Sequence, residues 1–588
     1  MHLVLTDGAD FDPLSVGNCQ QACLALDRCA RLHPDKCPTF TFKRNPLRLI
    51  NVMQGDSIRL EHTEARDIVY AALSYCWGEP GVMEAARTVK GNLPARLQPF
   101  SLSCLPATLK DAITITRLLG ISYLWIDGLC ILQDCREEWE AEAQKMVDYY
   151  RNAYVTIVAM LSTGADDGMR VNTDRSVPYR FSGPWSTKNG SDLILTGIAD
   201  ENLFAHDPGC QGPVVRGNAK LPDTATSSTA KWKRRGWTLQ EQLSSHRILY
   251  VMERRLVVKC RTGEWDSLFG WVDTEETFFL PRHVRNGEQS RPATMGSELK
   301  LLEMPPYYNK WLEIAVCYMH RQLTMPEDRW YAFLGVADAY ANIHGQPTVL
   351  GLWKDRIIED ISAWHCQNPP MESKTTIALF PSWSWLGACG GVAFSRVNQF
   401  QDPRTTLGSF VNNEKHQYPM VLRVSGPLFP NNWLLRVLDG FQLQCHPDRP
   451  KSLRDPGEHG PGWIYLDHCG IEFSEEEQAR CLSKFRDCVC WGSKIIPKMQ
   501  PGPAALLLGS GLQYNSQSPT GKREICKTQK EWHFLLVQLV GGTDKRNAAS
   551  QTYKRIGTMH IPDPSIKKAD QDAMIELAER GDEVINLI

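Results

Sequence analysis

The sequence lacks long hydrophobic runs, and no cleavable apolar segment follows Met1. Its most apolar long stretch, residues 113–132, is interrupted by Arg117 and Asp127 and contains Gly120. A membrane-spanning helix needs about 20 consecutive apolar residues, so this stretch predicts a helix followed by a strand and no membrane span. Without a secretion signal, the chain is expected to be a soluble cytoplasmic protein with reduced thiols.

A strong excess of charge of one sign is also missing. Lys and Arg number 65 and Asp and Glu number 67, which gives a formal net charge of −2. A protein whose main partner is nucleic acid carries a basic excess that neutralises phosphates. The charge balance therefore argues against a nucleic-acid partner, while 588 residues with 42% hydrophobic content allow several domains with a sizeable core.

Two common catalytic patterns are absent as well. No glycine-rich loop stands in the Lys or helix context of a P-loop or a dinucleotide fingerprint, which argues against an ATPase. Cys76 and Cys130 belong to sequence blocks described below, but those blocks contain no His that would activate a thiolate. Covalent cysteine catalysis is therefore not expected.

The beginning of the chain is rich in cysteine. Thiolates and imidazoles are the ligands of structural zinc, so Cys19, Cys23, His33 and Cys37, with Cys29 as a replacement, are candidate zinc ligands. The paired Cys-x2-Cys knuckle of common zinc sites is missing. The sequence therefore favours unligated cysteines in a small N-terminal cap, and a zinc site is the alternative.

Between residues 70 and 160, short apolar runs alternate with helical periodicity. Strands are predicted at 70–75, 122–127 and 154–160, and helices from Pro106 to Gly120 and from Asp134 to Tyr150. This alternation predicts βαβ units and a parallel sheet in an α/β domain.

Shifts in composition divide the chain into four expected regions. They are a Cys-rich N-terminal cap (1–46), an α/β domain with a loop-rich insertion at about 161–230 (47–260), a mainly helical region (261–379) and a β-rich C-terminal domain (380–588).

Three sequence blocks are predicted to end at the carboxyl edge of the sheet, where α/β proteins bind their ligands. They are 72–78 (ALSYCWG), 125–133 (WIDGLCILQ) and 235–241 (RGWTLQE). Their polar and aromatic side chains are the candidate site residues, namely Ser74, Trp77, Asp127, Gln133, Trp237 and Glu241.

In this order, the blocks resemble the heterokaryon-incompatibility (HET) domain of filamentous fungi, whose pattern runs ALSYxWG, WIDxxCIxQ and RxWTxQE. Residues 105–113, 328–335, 381–387 and 553–557 also resemble segments of long HET proteins, whereas Leu132 replaces the usual Asn. The resemblance implies a signalling protein of self/non-self recognition and programmed cell death. Its partners would be other proteins, through self-assembly or a recognition partner.

HET domains are in turn similar to Toll/interleukin-1-receptor (TIR) domains, some of which cleave NAD with one glutamate on a helix. Trp237 and Glu241 have the spacing of the TIR Trp and Glu. The resemblance implies a TIR-like parallel sheet, NAD as substrate, Glu241 as catalytic residue and no required cofactor. A non-catalytic assembly module and a biosynthetic enzyme that reuses the cleft are the alternatives.

For each candidate residue, a purely structural role is the alternative. Residues 238–241 fit a capping box, in which the glutamate serves the helix terminus. Asp127 is placed to accept amides of the following turn. Ser74 and Trp77 fit a strand-end hydrogen bond and a packed aromatic ring, and Glu142 is expected to be a half-exposed surface carboxylate.

Overall fold

The chain forms two compact units in the computed structural model, Met1–Leu280 and Pro281–Ile588. In the first unit the structure describes residues 12–38, 45–63, 66–170, 230–252, 255–267 and 270–273, and six short strands between 179 and 215. In the second it describes residues 306–366, 379–388, 391–394, 400, 402–412, 419–429, 463–466, 504–513, 529–541, 551–562, 572, 576 and 582–588.

A ten-stranded mixed sheet runs through the first unit. Its strands are β1 (Arg48–Gln54), β2 (Ser57–His62), β3 (Tyr70–Ser74), β4 (Phe100–Ser101), β5 (Tyr123–Trp125), β6 (Val155–Ala159), β7 (Arg247–Val251), β8 (Leu256–Cys260), β9 (Gly263–Asp266) and β10 (Gly270–Asp273). Their spatial order is β10-β9-β8-β7-β6-β3-β5-β1-β2-β4. Three short antiparallel pairs precede β7, namely Tyr179–Arg180 with Ile198–Ala199, Pro184–Ser186 with Asp192–Ile194, and Phe204–Ala205 with Val214–Val215.

The centre of this sheet is parallel, as the alternating pattern predicts. Strands β7, β6, β3 and β5 are neighbours and run in the same direction. The chain forms β3 first, crosses to β5 on one side, and then returns to β6 on the other side. In doubly wound sheets with this order, ligands bind at the carboxyl ends of the first and third parallel strands, where the winding reverses. Here that switch point lies between β3 and β6.

Eight helices accompany the sheet within the described part of this unit. They are α1 (Val16–Leu32), α2 (Leu93–Arg96), α3 (Ala107–Leu118), α4 (Asp127–Cys130), α5 (Arg136–Ala143), α6 (Met146–Asn152), α7 (Lys231–Arg234) and α8 (Trp237–Ser244), with a 3-10 turn at Leu102–Cys104. The predicted stop of α3 is confirmed, because Gly120 takes a φ of 72°, a conformation that suits glycine after a helix. The single helix predicted from Asp134 is wrong, since α5 and α6 are separate.

The core of the unit surrounds the parallel strands. Every residue of β3, β6 and β7 is buried, as expected for strands that are covered on both faces. Trp125 at the end of β5 packs against Tyr149 and Tyr150 of α6, with ring centroids 5.6 and 5.4 Å apart. Together with hydrogen bonds between Tyr70 and Tyr149 and between Tyr150 and Leu73, this packing places α6 against β5 and β3.

The second unit begins with helices and continues with a nine-stranded sheet. Its helices are α9 (Pro306–Met319), α10 (Tyr331–His344) and α11 (Ile357–Ala363), with 3-10 turns at Pro326–Arg329, Lys354–Arg356 and Trp385–Gly387. Its sheet strands are Asp402–Pro403, Thr406–Asn412, Pro419–Gly426, Leu428–Phe429, Trp463–Leu466, Ala504–Gln513, Gln529–Gly541, Thr552–Pro562 and Glu583–Leu587. Two short pairs precede them, namely Thr348–Val349 with Leu352–Trp353 and Trp364–Cys366 with Val392–Phe394.

This arrangement confirms the helical region followed by a β-rich C-terminal part. Within the described parts of both units, no helix combines the length and the apolarity needed to cross a membrane.

A close contact in the second unit gives a stability prediction. Gly351 has a φ of 83°, and a Cβ there would overlap the ring of Trp385. We expect Gly351→Ala to destabilise this unit by about 3 kcal/mol or more, through backbone strain and overpacking together. Urea unfolding measures the loss, with Gly345→Ala as control, because Gly345 shares the positive φ (69°) but has nothing within 4 Å of its Cβ position. The control should cost only about 1 kcal/mol, and an equal loss in both variants would contradict the prediction.

Candidate functional site

Ser74, the last residue of β3, connects the sheet to helix α8. Its hydroxyl donates a hydrogen bond to Oε2 of Glu241 and accepts one from Nε1 of Trp232 at 2.6 Å. Both ends of the contact are buried, with Ser74 1% and Glu241 7% exposed. Because Ser74 pairs with Val158 of β6, the Glu241 carboxylate lies at the switch point of the sheet.

Glu241 does not cap its own helix. Helix α8 has Gly236 as its N-cap residue, without a hydrogen bond from a capping side chain. Thr238 lies inside the first turn, and its hydroxyl faces the carbonyl oxygens of Trp232 and Arg235 at 2.7 and 2.9 Å. The capping-box interpretation of residues 238–241 is therefore wrong, because Trp232 of the preceding helix α7 and Arg235 just after it supply acceptors for the threonine.

The surroundings of Glu241 change its proton affinity. Burial raises the pKa of Glu241 to about 7, although the hydrogen bond from Ser74 and the charge of Arg235 both lower it. The nearby Asp127 carboxylate raises the pKa of Glu241 further. A carboxyl group with a pKa near neutrality gains and loses protons at physiological pH, which is a frequent property of acid–base residues.

Asp127 follows β5 and begins α4. Its Oδ2 accepts a hydrogen bond from Nε1 of Trp77 at 2.9 Å, and its Oδ1 accepts one from the amide of Gly128 at 2.7 Å. Burial raises the pKa of Asp127, and the bonds from Trp77 and Gly128 oppose that rise. One oxygen therefore serves the turn, as the fold-based interpretation predicts, while the other holds the indole of Trp77.

Arg235 provides the positive charge of this cluster. Its guanidinium donates a hydrogen bond to the carbonyl oxygen of Tyr75. Burial lowers the pKa of Arg235, but its interactions with Cys76, Glu241 and Asp127 raise it, so that the net shift is upward. The site therefore contains two carboxyl groups and one permanent cation.

Four residues of this network were not among the candidates. They are Tyr75, Tyr150, Trp232 and Arg235. Tyr75 and Arg235 belong to the predicted blocks, so their position in the motifs was a usable signal. Tyr150 is predicted only as the end of a helix, yet its hydroxyl lies 3.1 Å from the carbonyl oxygen of Leu73 and also lowers the pKa of Glu241.

Two candidates make contacts that support the local fold. The Gln133 side-chain amide donates to the carbonyl oxygens of Asp127 and Ile131 at 3.1 and 3.0 Å, which closes its own loop. Trp237 packs edge-on against Trp139 with ring centroids 6.0 Å apart. The structure thus brings Ser74, Trp77, Asp127 and Glu241 together, and places Gln133 and Trp237 in the supporting structure. Ligand-binding roles for all six remain predictions.

Three other side chains near these strands, Cys76, Cys130 and Glu142, are buried in the fold. Burial raises the pKa of Cys130 to about 12 and also raises that of Cys76, so both remain thiols at neutral pH. Glu142 is only 2% exposed. It accepts hydrogen bonds from the Tyr149 hydroxyl at 2.8 Å and from Lys145 Nζ at 3.0 Å. Its expected position as a half-exposed surface carboxylate is wrong, because α6 supplies donors that allow its burial.

Two of the predicted zinc ligands lie apart from the other cysteines. Cys19 Sγ is 4.0 Å from the carbonyl oxygen of Pro13, and Cys23 Sγ is 4.0 Å from that of Leu119. Among the described residues, one group of three Cys, His, Asp or Glu side chains has metal-ligand spacing, and neither Cys19 nor Cys23 belongs to it.

Comparison with known proteins agrees with this geometry. Residues 70–241 match the family model "Heterokaryon incompatibility protein (HET)". Over 108 residues, the chain is 34% identical to "Heterokaryon incompatibility protein 6, OR allele" of Neurospora crassa. The aligned part makes up 17% of this chain and 15% of the length of that relative. No solved structure matches the chain.

The family match begins at the first residue of β3 and ends at Glu241. It includes the three sequence blocks and the strands and helices that bring Ser74, Asp127 and Glu241 together. Residues 70–241 of this chain therefore form a heterokaryon incompatibility (HET) domain.

Proposed function

We propose that this protein acts in self/non-self recognition by cleaving NAD, with Glu241 as the catalytic carboxylate. The observation that carries the proposal is a buried Glu241 carboxylate, held by Ser74 at the switch point of a parallel sheet. Sheets with this strand order bind nucleotides at the corresponding position. Growth arrest or programmed cell death is the proposed cellular result of losing NAD.

The reaction breaks the bond between nicotinamide and the ribose C1′. Nicotinamide leaves with the bonding electron pair and becomes neutral, while the ribose becomes an oxocarbenium ion. A water molecule then bonds to C1′ and releases a proton, which gives ADP-ribose. Glu241 stabilises the ribosyl cation by its charge and accepts hydrogen bonds from ribose hydroxyls, as carboxylates do in glycoside cleavage. No cofactor is required for these steps.

The neighbouring side chains have supporting tasks in this proposal. Ser74 acts as a positioning residue, because its hydrogen bond fixes one oxygen of the Glu241 carboxylate. Arg235 favours the ionised form of Glu241. Asp127 holds the half-buried Trp77 ring, and an aromatic face suits stacking against a flat heterocycle such as nicotinamide or adenine.

The direct test is incubation of the purified full-length chain with NAD. We expect free nicotinamide and ADP-ribose to appear in equal amounts, at a rate proportional to the protein concentration. The assay is run on dilute protein and on protein that has been allowed to assemble, because a signalling domain can require assembly for activity. Absence of nicotinamide under both conditions would refute the proposal, and the hydrogen bonds around Glu241 would then serve the fold of a non-catalytic assembly module.

A further inference from the structure

Three buried cysteines meet at the edge of the first unit opposite Ser74. Cys29 lies near the end of α1, Cys37 follows that helix, and Cys260 ends β8. Their Sγ atoms all lie within 4.8 Å of one another, and each residue is at most 1% exposed. Cys260 pairs with Arg247, the first residue of β7. The cluster therefore lies at the amino ends of the parallel strands, whereas Ser74 lies at a carboxyl end.

An imidazole reaches the same cluster. His33 is the C-cap residue of α1, and its Nδ1 lies 3.8 Å from Cys260 Sγ. A tetrahedral zinc ion with bonds of about 2.3 Å to sulfur and about 2.0 Å to nitrogen holds neighbouring ligand atoms about 3.5 to 3.8 Å apart. The three sulfur atoms are close to this spacing, and the imidazole of His33, which contacts Cys260, has to turn further toward Cys29 and Cys37 to complete it.

We propose that Cys29, His33, Cys37 and Cys260 bind one zinc ion in a closed structural site. Four protein ligands of the Cys3His type leave no open position for a substrate, which distinguishes a structural zinc from a catalytic one. Helix α1 contributes Cys29 and His33 at a spacing of four residues, so both side chains lie on the same side of its last turn. The ion would fasten α1 to the end of β8.

Groups around the cluster suit a negatively charged sulfur. The amide of Thr262 lies 3.5 Å from Cys260 Sγ, and the Thr262 hydroxyl lies 3.3 Å from it. The same hydroxyl is 2.7 Å from Nδ1 of His33, and this contact has to open when that nitrogen binds the metal ion. Hydrogen bonds from such outer groups orient metal ligands and reduce the charge on thiolates. A guanidinium nitrogen of Arg247 also donates to the carbonyl oxygen of Cys37, which anchors the segment that carries this ligand.

Metal analysis of the purified full-length protein tests the site. We expect about one zinc ion per chain after expression in zinc-supplemented medium, because four-ligand structural sites are normally filled. Cys29→Ser should lose most of this zinc. Cys23→Ser is the matched control, since Cys23 lies on the same helix but outside the cluster, and it should keep its full zinc content. Cobalt added to the metal-free protein should give thiolate-to-cobalt absorption in the wild type and in Cys23→Ser.

Several outcomes would overturn the site. They are less than half an equivalent of zinc in the wild type, a disulfide between any two of the three cysteines, or equal zinc loss in Cys23→Ser and Cys29→Ser. Should Cys29→Ser fail to fold, the wild type alone decides. A chelator should then remove the zinc and lower the melting temperature, and added zinc should restore it. None of these measurements depends on NAD cleavage.

Discussion

Replacing Glu241 with glutamine is expected to lower the rate of NAD cleavage by roughly 100-fold or more while the protein stays folded. Glutamine keeps the shape of the side chain, and its amide oxygen still accepts the hydrogen bond from Ser74. It has no negative charge to stabilise the ribosyl cation. The measurement is the rate of nicotinamide release by both proteins at equal concentration, together with circular dichroism and melting temperature.

The matched control for this substitution is Glu264→Gln. Glu264 is 7% exposed, like Glu241, and pairs with Lys259 at 3.4 Å. It lies on β9, and three strands separate β9 from β3. We expect this variant to keep the wild-type rate. Unchanged activity and melting temperature in Glu241→Gln would refute the catalytic role. An equal loss of activity in both variants would show that removing any buried carboxylate has this effect, and would also contradict a specific role of Glu241.

The parts of the fold that the sequence predicts are those specified by neighbouring residues. Strand β6 is a continuous run of five residues that are all buried in the structure, and such a run is visible in the sequence. The stop of α3 depends on one glycine, Gly120. The proximity of Ser74, Asp127 and Glu241 follows from the parallel order, because each residue ends a strand, follows a strand or lies on a helix that begins at the carboxyl edge.

The errors arise where residues outside a local sequence pattern bind the side chains of that pattern. Residues 238–241 fit a capping box, but the carbonyl oxygens of Trp232 and Arg235 attract the hydroxyl of Thr238, and Ser74 binds the carboxylate of Glu241. A local motif cannot show which of two acceptors or donors is nearer in the fold. Glu142 is buried for a similar reason, since its partner Tyr149 lies on another helix.

The proposed metal ligands also could not be predicted from a local pattern, because one of them is distant in the sequence. Spacing rules for zinc sites compare cysteines that are close in the chain, and they place Cys19 and Cys23 in the predicted site. In the structure, Cys260 of β8 comes from a remote part of the chain and joins Cys29 and Cys37. Only the pairing of β8 with the sheet reveals that ligand.

The stability of the first unit is expected to fall between pH 5 and pH 8 by roughly 3 kcal/mol more in the wild type than in Glu241→Gln. The pKa of Glu241 is about 7 in the folded protein, above its ordinary value of 4.5. Between these two values the folded state binds more protons than the unfolded state. The free energy of unfolding therefore decreases as the pH rises through this window, and it levels off above the folded-state pKa.

Urea unfolding at several pH values measures this difference, with the transition of the first unit followed in both proteins. Other buried acids, such as Asp127, are present in both and largely cancel in the comparison. We expect the curves of the two proteins to separate progressively from pH 5 and to run parallel above pH 8, with the glutamine variant the more stable. Parallel curves over the whole range would contradict a raised pKa for Glu241.

The same titration should have the opposite effect on activity. The ribosyl cation needs the ionised carboxylate, so wild-type NAD cleavage should increase between pH 6 and pH 8, while stability decreases. An ionised buried carboxylate lowers the free energy of unfolding but promotes the reaction at the same pH. Such a loss of stability in exchange for activity is typical of a functional residue. If stability changes with pH as expected but NAD cleavage stays constant over this range, the charge of Glu241 is not used in the reaction.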